Sequence, residues 1–237
     1  MKKLTYLIIL ALLPVITHAE EKDDPYQASV EFGYVGTSGN TDNSTYDLKY
    51  EGSYKVSKWT HSMLLQAYMA TSSGETTGER YLGVYKPQYS LSPRSYLFGF
   101  FRYSDDRFSG YKYQASETVG YGRKFLIGPK HFFNAEAGAG MRQQEESEAP
   151  YTYTGEGVIQ MNGNYKYVLS KSTNFTQNLS IIAGESNTEV ASFTGLKVMI
   201  NKSLAVALGL DVKYNSDAPA DKENTDTKTT ANIVYSF

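Results

Sequence analysis

The chain of 237 residues contains no cysteine and carries 23 basic against 25 acidic side chains, for a formal net charge of −2. The lack of cysteine excludes a disulfide scaffold, a thiolate metal site and a cysteine nucleophile. The near-neutral charge lacks the excess of basic residues that is typical of nucleic-acid-binding proteins. Aromatic residues make up 14% of the chain, with 21 tyrosines, 11 phenylalanines and 1 tryptophan. This much tyrosine predicts extensive surfaces where apolar and polar environments meet.

Residues 1–19 have the pattern of a secretory signal peptide. They begin with a methionine and two lysines, continue with an apolar stretch over 4–16, and end on a small-x-small triplet. A basic start, an apolar middle and small residues at the cleavage site direct a chain out of the cytoplasm. The apolar stretch is shorter than the roughly 20 residues that a membrane-spanning helix needs. We therefore expect a cleaved signal peptide over 1–19 and an exported domain over 20–237.

From residue 26 onward, apolar and polar residues alternate with a period of two. In 204–215 the even positions hold Leu, Val, Leu, Leu, Val and Tyr, whereas the odd positions hold small or polar residues. This period predicts β-strands with one apolar face. Twelve such segments occur, at 26–37, 44–56, 59–71, 80–91, 95–104, 112–125, 131–142, 153–169, 173–185, 191–200, 203–215 and 227–237.

The connections between these segments form two alternating sets. The short set lies around 57–58, 92–94, 128–130, 170–172 and 201–202. The longer, acidic set lies around 39–43, 72–79, 105–111, 143–152, 186–190 and 216–226. Short turns at one end and longer loops at the other are typical of outer-membrane barrels, whose turns face the periplasm.

Aromatic side chains cluster at both ends of the predicted strands. Tyr34, Tyr81 and Tyr103 adjoin the longer loops, whereas Trp59 and Tyr167 adjoin the short turns. Such rings form two belts at the membrane interfaces. A soluble lipocalin-like barrel or sandwich is the alternative, but its inward apolar face would favour layers of Leu, Ile and Val. The sequence therefore predicts an all-β fold, a transmembrane antiparallel β-barrel of about twelve strands with short periplasmic turns and longer extracellular loops.

The last predicted strand ends on an aromatic residue. Ala231, Ile233, Tyr235 and Phe237 share one face of it. A terminal strand of this kind is what outer-membrane insertion machinery reads, so we expect that machinery to recognise Phe237. We expect a location in an outer membrane of the Gram-negative type, in contact with outer-membrane lipid and lipopolysaccharide. No sequence feature points to a particular oligomeric state.

The face assigned to the lumen by strand parity holds eleven basic and six acidic residues. The lumen is where such charges belong, because Lys or Arg on the lipid face costs roughly 2–4 kcal/mol at mid-bilayer. The surplus of positive charge would favour anions if water fills the lumen. The candidate lumen-lining residues are Lys49, Arg80, Lys86, Arg102, Lys124, Glu136, Arg142, Lys166, Asp211 and Lys213. Glu117 does not fit this pattern, because alternation places it on the lipid-facing side. A local β-bulge would shift the register of the strand there and turn the side chain inward.

Few residues outside the lumen suggest chemistry. After residue 19 only two histidines remain, His61 and His131, both at the short-turn end near aromatic residues. Ser62 follows His61 directly, so their side chains point to opposite faces of a strand. We therefore expect interfacial histidines, no cofactor and no metal site. The acidic loops fit either divalent cations that bridge to lipopolysaccharide or simple solubilising charge.

Several strand-end and loop motifs together resemble a known family. They are Gly36-Thr37-Ser38-Gly39-Asn40-Thr41-Asp42, Lys58-Trp59-Thr60-His61, Gly74-Glu75-Thr76-Thr77, Arg94-Ser95-Tyr96-Leu97-Phe98-Gly99, Asp105-Asp106-Arg107-Phe108-Ser109-Gly110-Tyr111, Gly120-Tyr121-Gly122, Asn215-Ser216-Asp217, Asn224-Thr225-Asp226-Thr227 and Val234-Tyr235-Ser236-Phe237. The chain is similar over essentially its whole length after residue 19 to the YdiY-like family of putative salt-induced outer membrane proteins, a domain family of unknown function. The resemblance implies an outer-membrane location and a link to salt or osmotic stress, and it supplies no catalytic or binding residues.

Three functions follow from these observations, in order of preference. The first is a small porin-like channel for small, anionic solutes. The second is a closed structural barrel that supports the envelope and whose lumen is closed by ion pairs between basic and acidic side chains. The third, an outer-membrane enzyme acting on lipid, would need His61 or His131, so we expect no enzymatic activity. Barrels of about 8 strands fill with side chains and porins of 16–18 leave a channel, so about twelve strands fit either of the first two.

Overall fold

The computed structural model describes residues 25–37, 42–148, 151–218 and 223–237. It contains twelve strands: β1 (Tyr26–Thr37), β2 (Asn43–Val56), β3 (Trp59–Ser72), β4 (Glu75–Ser90), β5 (Ser95–Asp106), β6 (Tyr111–Ile127), β7 (His131–Glu146), β8 (Tyr153–Val168), β9 (Thr173–Ala183), β10 (Thr188–Met199), β11 (Leu204–Asn215) and β12 (Thr225–Ser236). All pair antiparallel with their neighbours in the chain, and β12 pairs with β1 to close one barrel. The predicted signal peptide lies outside the described residues.

The barrel has apolar side chains outside and polar side chains inside. On β11, Leu208 and Leu210 are 52% and 41% exposed, whereas Ala205 on the opposite face is fully buried. Across the described residues many large hydrophobic side chains are exposed, and the buried polar and charged residues outnumber the buried hydrophobic ones. A soluble barrel would reverse this pattern, because its apolar face would fill the interior. The predicted all-β transmembrane barrel is therefore confirmed. Within the described segments, no helix has the length and apolar character needed to cross a membrane.

The two ends of the barrel differ in their connections. At one end, the turn end, the strands join through 57–58, 91–94, 128–130, 169–172 and 200–203, and β1 begins and β12 finishes there. At the other end, the loop end, the connections are 38–42, 73–74, 107–110, 147–152, 184–187 and 216–224. Turns of this kind face the periplasm in outer-membrane barrels. The predicted asymmetry holds, although the 73–74 connection is as short as any turn.

Several predicted strand ends at the loop end are wrong. The predicted loop over 72–79 is a two-residue hairpin turn, and β4 starts at Glu75. Its central residues Ser73 and Gly74 have φ angles of 51° and 84°, the paired left-handed conformation that suits a tight hairpin. β7 continues to Glu146, and β10 begins at Thr188 rather than at 191. The strands therefore extend further beyond the apolar band than alternation alone indicated.

Two aromatic belts encircle the outer face, as predicted. Near the loop end, Tyr34 and Tyr46 lie 5.0 Å apart between ring centroids. Near the turn end, the Trp59 and Tyr89 rings lie 5.1 Å apart, and Phe237 is 37% exposed. Rings at these two levels suit the headgroup regions on either side of an apolar band.

Small residues on β6 and β7 let large rings lie flat against the lumen wall. A Cβ atom on Gly120 would lie 2.6 Å from the Cα atom of Gly138 and 2.7 Å from the Cε1 atom of Phe98. Phe98 and Tyr96 on β5 are each only 4% exposed. One side of the lumen, along β5–β7, is thus filled by aromatic rings.

The seam between β1 and β12 is the shortest ladder of the barrel. Four ladder pairs join the two strands, from Ser29 with Ser236 to Phe32 with Ile233, and Phe237 exchanges two further backbone hydrogen bonds with Ala28. By contrast, β11 and β12 share eleven pairs, and β1 and β2 share twelve. The pairing of β1 with β12 is therefore confined to the turn-end half of β1.

Candidate functional site in the barrel lumen

Buried polar residues line the lumen. They are Glu31, Asp47, Ser104, Ser116, Thr118, Glu136, Arg142, Gln144, Gln160, Asn187, Glu189 and Asn232. Alternation places them on the face opposite the exposed apolar residues of the same strands. Polar groups buried in this number need partners, since an unpaired buried group costs about 1–3 kcal/mol. Their partners divide the lumen into three clusters.

The first cluster contains an ion pair that crosses the lumen near the loop end. The Arg102 Nη1 atom on β5 lies 2.5 Å from the Glu189 Oε1 atom on β10. Four strands separate β5 from β10 in one direction and six in the other, so the pair joins nearly opposite walls. The second oxygen, Oε2 of Glu189, accepts from Lys213 Nζ on the neighbouring β11 at 3.1 Å. We call this group the cross-lumen bridge.

A second ion pair holds the 184–187 connection against the barrel wall. Arg142 on β7 pairs with Glu156 on β8, and both side chains are over 90% buried. The Nη2 atom of Arg142 also donates to the backbone carbonyl of Asn187 at 2.6 Å. Glu156 accepts from the backbone nitrogen and the hydroxyl of Ser186, each at 2.7 Å. The 184–187 connection is therefore fastened to the wall instead of lying free above the pore.

The second cluster surrounds Glu136 on the aromatic side of the lumen. The Glu136 side chain is 1% exposed and lies 2.6 Å from Lys86 Nζ. It also accepts from the Tyr96 hydroxyl at 2.8 Å and from Asn162 Nδ2 at 2.9 Å. The Lys86 ammonium lies 5.3 Å from the Phe98 ring centroid. This cluster joins β4, β5, β7 and β8, so it fixes one wall of the lumen.

The third cluster occupies the opposite wall, on β12 and β1–β4. Asp47 accepts from Lys228 Nζ at 2.7 Å and from Gln66 Nε2 at 2.9 Å. Arg80 donates to the Gln66 side chain at 3.4 Å. Separately, Lys49 Nζ lies 3.1 Å from the carboxylate of Glu31. Six of the eleven basic residues that parity assigned to the lumen thus have a carboxylate partner within 4 Å in the described structure.

A cavity of about 480 Å³ lies beside this third cluster. Its lining includes Asp47, Lys49, Asp211, Lys197 and Glu51. The Asp211 and Glu51 side chains are 45% and 48% exposed, so they face open space in the cavity. A polar cavity of this size holds many water molecules, since one molecule occupies about 30 Å³ of liquid. The lumen is therefore off-centre, filled along β5–β7 and open along β1–β3 and β10–β12.

Four lysines at the turn-end mouth have no carboxylate within 4 Å among the residues that the structure describes. They are Lys55, Lys124, Lys166 and Lys197. Lys197 lines the cavity, and the ammonium of Lys124 lies 6.0 Å from the centroid of the lumen ring of Tyr96. The positive charge that remains unpaired in the lumen is concentrated at this mouth.

Glu189 is a functional candidate that sequence reasoning missed. The predicted β10 began at 191 and left Glu189 in a loop, whereas the strand begins at Thr188. Glu189 adds a seventh acid to the six assigned to the lumen. The available signal was the alternation of Glu189 and Ala191 with Val190, which continues the period of β10 toward the loop end.

The predicted bulge that would turn Glu117 inward is wrong. Register shifts on β6 occur at Tyr111/Tyr113 and Lys124/Leu126, and Glu117 lies in the regular stretch between them. It pairs with Phe101 and Met141, which are 47% and 48% exposed on the outer face. Its carboxylate has a weak contact with Gln143 Nε2 at 3.5 Å. Glu117 therefore lies on the lipid-facing surface, midway between Tyr113 and Tyr121.

Replacing this carboxylate should stabilise the barrel. We expect Glu117→Leu to raise the free energy of unfolding by about 1 kcal/mol, because a lipid-facing acid is unfavourable, although less so than Lys or Arg. The measurement is the urea midpoint of protein refolded into lipid vesicles. Glu75→Leu, at the loop end outside the apolar band, is the matched control and should give no such gain. A loss of stability in Glu117→Leu would contradict this placement.

The two histidines belong to the turn-end aromatic belt. The Nδ1 atom of His61 lies 2.7 Å from the Tyr85 hydroxyl, and that of His131 lies 2.8 Å from the Tyr165 hydroxyl. The His131 ring also stacks on Tyr167 at 4.5 Å. The histidines stand on β3 and β7 and do not meet each other. Within the described ranges, no cluster of three or more His, Cys, Asp or Glu residues could hold a metal ion.

Comparison with known proteins agrees with this architecture. The family described as "Protein of unknown function, DUF481" matches residues 30–237. The uncharacterized protein YdiY of Escherichia coli strain K12 is 31% identical over 216 residues, which cover 90% of this chain and 84% of YdiY. The resemblance to the YdiY-like family is thereby confirmed.

Solved structures show the same fold at low sequence identity. The NanC porin has a TM-score of 0.54 at 11% identity and covers 88% of this chain and 98% of its own. An outer membrane channel from Pseudomonas putida F1 has a TM-score of 0.55 at 11% identity, with coverages of 93% and 100%. The chain is a twelve-stranded transmembrane β-barrel, and it belongs to the DUF481 family of proteins of unknown function.

Proposed function

We propose that the protein is a narrow outer-membrane channel for small anionic solutes. The observation that carries the proposal is the off-centre polar lumen, with a cavity of about 480 Å³ below the cross-lumen bridge. The cavity is too large to be a packing defect, because voids larger than a water molecule are few in protein interiors, and charged side chains such as Asp47, Lys49 and Asp211 line it. We infer that the bridge, which joins nearly opposite walls, forms the constriction and limits solutes to small ones.

Anion preference rests on the lysines of the turn-end mouth. Paired charges such as Lys49 with Glu31 largely cancel at a distance, whereas Lys124 and Lys166 have no carboxylate beside them in the described structure. Rings of unpaired cations favour anions in pores. The fold shared with porin and channel structures supports a location in the outer membrane, with the turn end toward the periplasm. In this location Phe237, at the end of the closing strand, is the residue that insertion machinery would read.

Charge reversal at the mouth tests the proposed selectivity. We expect Lys124→Glu with Lys166→Glu to shift the reversal potential from anion-favouring toward cation-favouring under a salt gradient, because two charges change sign at the pore entrance. The measurement is single-channel recording of refolded protein in a planar bilayer. The matched control reverses Lys58 and Lys171, which lie on the turns outside the mouth, and should shift the potential much less. Equal shifts in both double variants would contradict a selectivity role for the mouth.

A closed structural barrel is the second candidate, and the cross-lumen bridge favours it. Arg102 and Glu189 tie opposite walls together, as a plugged lumen requires. In that case the protein would support the envelope under salt or osmotic stress instead of passing solutes. Folded, heat-modifiable protein that never conducts would support this candidate and remove the channel. The lipid-modifying enzyme has no such supporting observation, because both histidines are engaged with belt tyrosines.

A further inference from the structure

The connections at the turn end carry a regular pattern of charge. Each of the five turns contains one basic residue and no acidic residue. These residues are Lys58, Arg94, Lys130, Lys171 and Lys202. Because the turns follow every second strand, their five cations are spread around the whole circumference of the barrel.

The loop end carries the opposite charge. The six connections of the loop end together contain six acidic residues and two basic residues. Charge that served only solubility would have no reason to separate by sign between the two ends. The separation indicates that the two ends meet different surroundings.

The turn-end cations lie beside the turn-end aromatic belt. The Lys58 ammonium lies 6.0 Å from the ring centroid of Tyr89, which belongs to the turn-end aromatic belt. On β6, Arg123 adds a sixth cation on the lipid-facing side, since it shares the face of the exposed Tyr121. Long basic side chains beside an aromatic belt extend their charged ends toward the headgroups.

None of these six side chains forms an ion pair with any part of the chain that the structure describes. Basic side chains within the lumen, by contrast, mostly have carboxylate partners such as Glu136 and Asp47. The counter-charge for the outer ring is therefore supplied from outside the barrel. A soluble polyanion would need the cations gathered on one face or inside the mouth, whereas a ring at the lipid boundary meets lipid on every side.

We propose that this ring, formed by Lys58, Arg94, Arg123, Lys130, Lys171 and Lys202, binds anionic glycerophospholipids of the leaflet at the turn end. The phosphodiester is the group recognised, and a net-negative headgroup such as phosphatidylglycerol is preferred over a zwitterionic one. Binding enriches these lipids around the barrel and fixes its turn end in the leaflet that contains them. The inference does not depend on whether the lumen conducts.

Trp59 supplies a local reporter, because it is the only tryptophan of the chain and follows Lys58 directly. The experiment measures quenching of Trp59 fluorescence by dibrominated phosphatidylglycerol or dibrominated phosphatidylcholine at equal mole fraction in phosphatidylcholine vesicles. We expect the anionic lipid to associate about 3- to 5-fold more strongly, consistent with the attraction between basic residues and anionic membrane surfaces. High salt should reduce the preference.

Two double variants make the test specific. The first variant, Lys58→Gln with Arg94→Gln, changes the turns nearest Trp59. In this variant the preference for anionic over zwitterionic lipid should fall close to onefold. Lys171→Gln with Lys202→Gln removes the same charge on the far side of the barrel and should leave the Trp59 preference largely intact. Heat-modifiable mobility shows that each variant is folded.

Three results would overturn the proposal. The first is equal quenching by the two brominated lipids in the unaltered protein. The second is a preference that persists in Lys58→Gln with Arg94→Gln, which would show that other features select the lipid. The third concerns soluble phosphate. If excess inorganic phosphate abolishes the preference at constant ionic strength, the ring is a site for soluble phosphate and the lipid proposal fails.

Discussion

Channels formed by Arg102→Ala are expected to conduct several-fold more than the unaltered protein. Arg102 is the only member of the cross-lumen bridge contributed by β5, so its removal separates the bridged walls. Glu189 keeps Lys213 as a partner on its own side of the lumen at 3.1 Å, so no buried carboxylate is left unpaired. The change therefore widens the constriction without adding an unbalanced charge there. Single-channel recording in symmetric salt gives the conductance directly.

Lys213→Ala is the matched control for this experiment. It removes the same charge from the same cluster but leaves the link from Arg102 to Glu189 in place. Its conductance should stay close to that of the unaltered protein. If both variants conduct alike, the bridge does not limit flow. If Arg102→Ala is folded and silent, the closed structural barrel replaces the channel as the function.

The second large effect concerns stability and centres on Glu136. We expect Glu136→Gln to lower the free energy of unfolding by about 3 kcal/mol, the lower end for breaking a buried ion pair, because the Lys86 side chain retains 19% exposure. The change leaves the ammonium without its counter-charge and weakens the acceptor of Tyr96 and Asn162. The measurement is equilibrium urea unfolding of protein refolded into lipid vesicles.

Glu51→Gln is the control for Glu136→Gln. Glu51 also faces the lumen, but its side chain is 48% exposed and lies 3.6 Å from Lys49. Exposed pairs contribute about 0–1 kcal/mol, so this variant should unfold almost as the unaltered protein does. A double change of Lys86→Met with Glu136→Gln should recover part of the lost stability, because the unpaired ammonium is removed while the amide oxygen still accepts from Tyr96 and Asn162. Equal losses in the two single variants would contradict the role assigned to the Glu136 cluster.

The fold could be predicted from the sequence because residues of a transmembrane strand alternate between an apolar lipid-facing side and a polar lumen-facing side. The alternation on β11, from Leu204 to Tyr214, fits the two-residue period of a strand and does not fit the period of a helix. Strand ends were harder to place, since strands continue beyond the apolar band where the outward residues turn polar. Glu75 and Glu189 are both strand residues that resemble loop residues for this reason.

The lumen was predictable as a face but not as a set of partners. Parity identified Arg102 and Glu136 as inward residues, yet it carries no information about which inward residues meet. Arg102 and Glu189 are 87 positions apart in the chain and meet across the lumen, so their contact depends on the tilt and closure of the whole barrel. Glu117 shows that parity can be right even where the chemistry looks wrong. Its parity points to the lipid face, and the barrel closes with this acid on that face and no change of register there.

The short seam between β1 and β12 determines where the wall of the barrel is weakest. Four ladder pairs hold these strands together, whereas eleven hold β11 to β12. Fewer ladder pairs have to break at the seam than between β11 and β12, so we expect thermal opening to begin at the seam and to spread from its loop-end half. Lipid chains and unfolding agents thus have one preferred entry into the wall, and the residues paired near the two ends of the chain are the last part of the seam to separate.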